Sequence, residues 1–114
     1  MPVFDVWDIV KVPFPYTDRP VRQRRPALVI AGRELARRHG LLWLAMITSA
    51  ANRGWAGDVV ISDTEAALLP VPSIVRPAKI ATVEAADAER LGVLPSHNRA
   101  AVRDYLRARL CAFL

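Results

Sequence analysis

The chain has 114 residues, of which 53% are hydrophobic and 24% charged. That composition, without repeats or low-complexity tracts, excludes a disordered or fibrous chain and fits one folded domain over residues 1–114. Sixteen Lys+Arg against eleven Asp+Glu leave a formal charge of +5 and a pI near 10.3, so polyanions or acidic protein segments are the favoured partners.

Cys111 is the single cysteine, which excludes an internal disulfide. A closed zinc site would have to draw almost entirely on His39, His97 and carboxylates, so neither a metal nor another cofactor is expected. The amino terminus lacks the basic segment and apolar core of a secretion signal. The longest apolar stretch, residues 41–47, is too short to cross a bilayer, so the expectation is a cytoplasmic protein with no membrane partner.

Alternation over residues 6–14 predicts a strand, with Asp8, Val10, Val12 and Phe14 on one side and Ile9 and Lys11 on the other. Pro13 and Pro15 end its pairing, and residues 16–24 form a basic loop carrying Arg19, Arg22 and Arg24. The apolar run 27–30 reads as a buried strand. Residues 33–39 predict one or two helical turns closed by Gly40, with His39 at the helix end.

A second apolar run, 41–47, continues as a strand to Thr48 and Ser49, followed by a small-residue loop over 50–57 and a strand over 58–62. Residues 63–69 look like a capped helical turn stopped by Pro70 and Pro72. Extended segments follow at 73–75 and 79–82, then a short helix over 84–91. Ser96 is placed to cap a final helix whose Val102, Tyr105, Leu106, Leu110 and Phe113 share one face. Arg99, Arg103 and Arg107 recur on another face, for which the plain reading is a solvated surface. Trp7 and Trp43 fall within strand runs and are expected in the core. Short strands, a terminal helix and no alternation of strand and helix predict a small, curled antiparallel barrel.

Chemistry enters at the two apolar runs. Arg25 stands at the entrance of one strand, and Thr48 and Ser49 stand at the exit of the next. If these strands are antiparallel neighbours, a permanently charged forked donor and two hydroxyls meet at one end of the sheet, a combination suited to a phosphodiester. Trp55, beside Gly54 and near Arg53, could stack on an unpaired base or fold back over the barrel. Arg19, Arg22, Arg24, Arg76 and Lys79 could track phosphates, although Arg76 and Lys79 could instead pair with acidic neighbours. His39 and His97 offer a two-histidine acid/base alternative, but both lie at helix boundaries, where capping or exposure is the plainer role.

Four blocks resemble the MazF/PemK-like family of toxin-antitoxin endoribonucleases. They are Asp8-Ile9-Val10-Lys11-Val12-Pro13-Phe14-Pro15-Tyr16-Thr17-Asp18, Arg24-Arg25-Pro26-Ala27-Leu28-Val29-Ile30, Ala45-Met46-Ile47-Thr48-Ser49 and Pro72-Ser73-Ile74-Val75-Arg76-Pro77-Ala78-Lys79-Ile80, in the family's order and spacing. The resemblance implies an SH3-like β-barrel and a homodimer that cleaves single-stranded RNA without a metal. It also implies an acidic antitoxin segment that crosses the active groove. The family's catalytic arginine falls on Arg25 and its threonine on Thr48, with Ser49 as an auxiliary hydroxyl and Asp8 in the substrate groove. One departure is visible: the family usually places Gly before that aspartate, and here Trp7 precedes it, which bears on the local backbone path.

RNA cleaves itself when its 2′-hydroxyl attacks the adjacent phosphorus, expels the 5′-oxygen and leaves a 2′,3′-cyclic phosphate. The protein must then orient the attack and stabilise charge on the equatorial oxygens. Arg25 is the expected stabiliser and candidate acid, whereas an arginine is a poor base near neutrality. Two other classes compete: a toxin of related fold that binds DNA gyrase, and an SH3-like module that binds RNA or protein. Known gyrase-binding members end in Trp-Gly-Ile, whereas this chain ends Cys111-Ala112-Phe113-Leu114.

Overall fold

The computed structural model describes residues 3–14, 23–65 and 67–113. Six strands are formed in chain order: β1 (Asp8–Pro13), β2 (Arg24–Ala31), β3 (Leu41–Ser49), β4 (Val59–Val60), β5 (Ser73–Glu84) and β6 (Glu89–Val93). They make one sheet in the order β4-β5-β3-β2-β1-β6, and every neighbouring pair is antiparallel. Helix α1 (Arg33–His39) links β2 to β3, and helix α2 (Ser96–Leu110) follows β6.

The sheet is curled, and both of its faces are packed. Phe4, Val10, Val12, Ala27, Val29, Leu42, Leu44 and Met46 cluster on one face. Ile9, Leu28, Ala45, Ile47, Val75 and Val102 of α2 cluster on the other. Consecutive residues point to opposite faces of a strand, so the runs at 27–29 and 44–47 supply both layers at once. Register shifts between Ile9 and Val10, Val29 and Ala31, and Ala45 and Met46 bend the strands and curl the sheet into a half-barrel.

Several expectations hold. Helix α1 spans the expected residues and ends at Gly40, whose φ of 67° accommodates the left-handed cap. In residues 63–69 the Ala67 N–H donates to the Asp63 carbonyl, as in a single helical turn.

Others are corrected. Residues 84–91 are not a helix: β5 runs through Glu84, a 3-10 turn occupies Ala85–Asp87, and β6 begins at Glu89. Pairing with β1 overrides the local helical pattern there. The segments at 73–75 and 79–82 are extended as expected, and what the sequence did not show is that they join as one long strand, β5. Ser96 is the first residue of α2 rather than its cap, and no side chain caps that end. Trp43 is 47% exposed on β3, because it falls on the outward side at the sheet's curl. The apolar stripe of α2 is buried at Val102 and half-buried at Tyr105 and Leu106, but Leu110 and Phe113 are exposed.

Trp7 adopts φ 82°, a left-handed conformation that disfavours any side chain with a Cβ. Two main-chain bonds hold it there: its N–H donates to the Val29 carbonyl, and the Leu94 N–H donates to its own carbonyl. The ring packs at the edge of the second cluster, with the Arg99 and Arg103 guanidinium carbons 5.7 and 5.8 Å from its centroid. The glycine-like backbone path before Asp8 is therefore present even though the glycine is not.

Candidate active site

The pairing of β1 with β2 sets Val12 opposite Arg25, and that of β2 with β3 sets Ala27 opposite Met46. Extending the second register by two residues brings Arg25 across from Thr48. Alternation gives both residues the face that carries Val12, Ala27 and Met46, at the end where the apolar cluster stops. On the far side of β3, Arg76 of β5 stands opposite Met46 and shares that face. Three adjacent strands thus present Arg25, Thr48 and Arg76 on one face, Arg76 as a diagonal neighbour of Thr48 with Ile74 directly across from it.

Arg25 is exposed, and its Nη2 donates to Gln23 Oε1 at 2.7 Å, which steadies the side chain while leaving most of the guanidinium edge open. Thr48 is half-buried, and its Oγ1 accepts from Asn52 Nδ2 at 3.0 Å. Ser49, next along the strand, projects toward the other face. Its Oγ accepts from the Ala51 N–H at 3.2 Å and so caps the 3-10 turn Ala50–Asn52. That turn is what carries Asn52 back over Thr48.

Arg76 departs from the expected role of a cation tracking phosphates. It is only 5% exposed, and its Nε and Nη2 each lie 3.0 Å from one of the two Asp58 carboxylate oxygens. Nη2 also donates to the Asn52 carbonyl at 2.8 Å. The Asp58 carboxylate accepts further from the Gly54 and Trp55 N–H groups. Burial pushes the Asp58 carboxyl up. The hydrogen bonds from Arg76, Trp55 and Gly54, with the Arg76 charge, outweigh that and hold it below the usual aspartate range.

Trp55 lies on this support. Its ring centroid is 4.3 Å from the Arg76 guanidinium carbon and 5.2 Å from Lys79 Nζ, yet the residue remains 48% exposed. Gly57 seals the loop against α2. With φ 90° and the Tyr105 ring where a Cβ would sit, no other residue fits there without displacement.

The remaining expected site residues lie apart. Arg24 points to the side opposite Arg25, donates to the Lys11 carbonyl at 3.1 Å and is 3.8 Å from Glu89. Arg53 is exposed at the end of the 3-10 turn. Asp8 is 5% exposed at the other end of β1, where it accepts from the Asp5 N–H at 2.8 Å and pairs with Arg90 at 2.9 Å. It braces the entry to β1 and is not brought to the group around Thr48. Arg19 and Arg22 lie outside the described residues. Of the histidines, His39 ends α1, and His97 sits in the first turn of α2 against Ser62 Oγ.

Two components were missed from the sequence, Asn52 and Asp58. Asn52 stands four residues after Thr48 in a loop of small residues, where a side-chain amide is a ready local partner, so a signal existed. Asp58 and Arg76 are 18 residues apart and meet only through the β4–β5 hairpin. Among the described residues, no group of three or more His, Cys, Asp or Glu side chains could hold a metal, and no helix is long and apolar enough to cross a membrane.

Residues 5–110 match the family described as PemK-like, MazF-like toxin of type II toxin-antitoxin system. Among solved structures, MazF from Deinococcus radiodurans is 27% identical with a TM-score of 0.76, covering 97% of this chain and 99% of that one. A MazE-MazF complex from the same organism is 26% identical with a TM-score of 0.74, covering 96% and 97%. An endoribonuclease with its cognate antitoxin from a mycobacterial species is similar in fold alone, at 12% identity and a TM-score of 0.71, covering 97% and 96%. No curated protein matches the chain by sequence.

Proposed function

The chain belongs to the PemK-like, MazF-like toxins of type II toxin-antitoxin systems, and from that premise we propose that it is a sequence-selective endoribonuclease that cleaves single-stranded RNA without a metal and so blocks translation. The observation that carries the reading is the shared sheet face of Arg25 and Thr48, reached through two antiparallel registers. Arg25 offers a forked cationic donor to the equatorial phosphate oxygens, whose charge grows as the 2′-oxygen attacks phosphorus. Thr48 donates a hydrogen bond from its hydroxyl to the same phosphate, whereas Ser49, expected as an auxiliary hydroxyl, faces the other side of β3 with its oxygen accepting from the Ala51 N–H. The P–O2′ bond forms as the P–O5′ bond breaks: the 2′-hydroxyl proton passes to water, the departing 5′-oxygen takes a proton from Arg25 or from water, and the products are a 2′,3′-cyclic phosphate and a 5′-hydroxyl.

Trp55, exposed above Arg76, gives an unpaired base a surface for stacking. Lys79, its Nζ 5.2 Å from the ring centroid, flanks that surface as a cation for the RNA backbone, and the exposed Arg53 precedes Trp55 by two residues in the same loop. In this reading the toxin works in the cytoplasm as a homodimer, and a cognate antitoxin with an acidic segment covers the basic groove. The MazE-MazF complex among the similar structures supports that choice of partner.

The test is incubation of the purified protein with a long single-stranded RNA in EDTA, followed by mapping of cut positions and end chemistry. Sequence-selective cuts with cyclic phosphate ends, lost in Arg25→Ala, are expected. Intact RNA from a folded wild-type protein would overturn the reading and favour a toxin that acts by binding.

A further inference from the structure

The hydroxyl of Thr48 has two neighbours to choose between, the solvent side where a phosphate would lie and the side chain of Asn52. Asn52 Nδ2 donates to Thr48 Oγ1 at 3.0 Å, so an acceptor position of the hydroxyl is filled from within the protein. The Thr48 proton is thereby turned away from Asn52. A hydroxyl whose oxygen is occupied by a donor is a better and better-aimed donor itself, because the two hydrogen bonds polarise each other.

Asn52 is not a free surface side chain in this respect. Its main-chain carbonyl accepts from Arg76 Nη2 at 2.8 Å, and Arg76 is locked by the paired bonds to Asp58, with side chains 7% and 8% exposed. The 3-10 turn that orients Asn52 is capped by Ser49 Oγ and tied to the chain beyond β4 by the Ala50 N–H, which donates to the Pro72 carbonyl. The backbone of Asn52 is thus fixed from two sides, which sets the direction from which its side chain reaches Thr48.

We infer that Asn52 is a positioning residue for the cleavage reaction: it holds the Thr48 hydroxyl as a donor toward the substrate phosphate, and the buried Asp58–Arg76 pair holds Asn52. The inference rests on the endoribonuclease reading and adds to it the device that sets the polarity of the threonine. It also gives Ser49 a role from the opposite face, since its oxygen caps the turn that carries Asn52.

Three variants separate this from a general effect on folding or charge. Asn52→Ala removes the donor, whereas Asn52→Asp supplies an acceptor that draws the Thr48 proton back toward the protein. Ala56→Asp adds the same charge at an exposed position of the same loop. Each is measured by kcat at saturating single-stranded RNA and by KM, with thermal unfolding as the check on folding. Because Asn52 is exposed, its substitutions are expected to leave the protein folded.

The expected result is a fall in kcat of about ten-fold for Asn52→Ala, the rate equivalent of one hydrogen bond. A larger fall, on the order of a hundred-fold, is expected for Asn52→Asp, with less than about a three-fold change for Ala56→Asp and KM nearly unchanged for Asn52→Ala. Equal kcat for wild type and both Asn52 variants, or an equal fall in Asn52→Asp and Ala56→Asp, would overturn the positioning role. If the wild-type protein leaves every RNA intact, it is the endoribonuclease reading that fails, a result distinct from active wild type with indifferent Asn52 variants.

Discussion

Removing the Asp58 carboxylate should unfold the loop that carries Trp55 before it troubles the rest of the sheet. Asp58→Ala leaves the Arg76 guanidinium with one acceptor, the Asn52 carbonyl, in a setting where both partners are now more than nine-tenths buried. Breaking such a pair from one side costs about 3–5 kcal/mol, far above the ~0.2–1 kcal/mol of an exposed ion pair. For a chain of this size that corresponds to a fall in Tm of roughly 10–20 °C. The assay is urea unfolding of wild type, Asp58→Ala and the double variant Asp58→Ala/Arg76→Met, which removes the stranded charge and is expected to recover at least half of the loss. The pH dependence has a definite sign. The Asp58 carboxyl is held below its unfolded value, so its contribution is fully present above about pH 4 and is lost as pH falls through the folded value. The gap between wild type and Asp58→Ala should therefore be widest near neutrality and shrink below pH 4. A loss under about 1 kcal/mol, or a gap that does not change with pH, would show that the pair behaves as a solvated surface contact and would refute the argument.

Trp7 gives a reversal of the usual order of substitutions. Because its φ is 82°, Trp7→Gly relieves backbone strain while losing the ring, and Trp7→Ala loses the ring and keeps the strain. Trp7→Ala should therefore be less stable than Trp7→Gly by about 1 kcal/mol in urea unfolding, and equal stability would refute the strain. Trp55→Ala should weaken binding of single-stranded RNA by about 1–3 kcal/mol, read in a cleavage-dead background by fluorescence anisotropy, without a matching loss of fold stability. Arg25→Lys keeps the charge and loses the fork, so kcat should fall by roughly a hundred-fold or more; retention of full activity would reduce Arg25 to a point charge.

Much of this architecture was legible in the sequence because it follows from alternation and apolar runs. The strands at 27–30 and 41–49 and the helix ended by Gly40 come directly from those patterns. The stretch at 84–91 misled because Glu84, Ala85 and Ala86 carry helical propensity, whereas β6 owes its existence to an edge of β1 far away in sequence. The placing of Arg25 and Thr48 on one sheet face was legible only as a conditional, since it required β2 and β3 to be antiparallel neighbours. Arg76 was visible as a cation, but its burial was not: nothing local in Pro72-Ser73-Ile74-Val75-Arg76 announces that Asp58 will lie opposite. Asn52 was overlooked because a lone amide in a loop of alanines and glycines reads as turn chemistry, and here it is turn chemistry turned toward Thr48.

The corner in β5 has a bearing on how such a chain changes over time. Opposite the consecutive residues Ala45 and Met46 stand Ile80 and Arg76, so residues 77–79 are looped out of the pairing, and Pro77, which has no N–H to offer, sits among them. A residue lost from the paired segment on either side would exchange inside for outside along the rest of the strand. The loss of Ala78 would shorten a stretch that no partner counts, leaving both registers intact while shifting Lys79 relative to Trp55. The corner is thus a length-tolerant seam in an otherwise length-intolerant sheet, and it lies beside the exposed Trp55 ring, so a change of length there would reshape that surface without disturbing the strands that carry it.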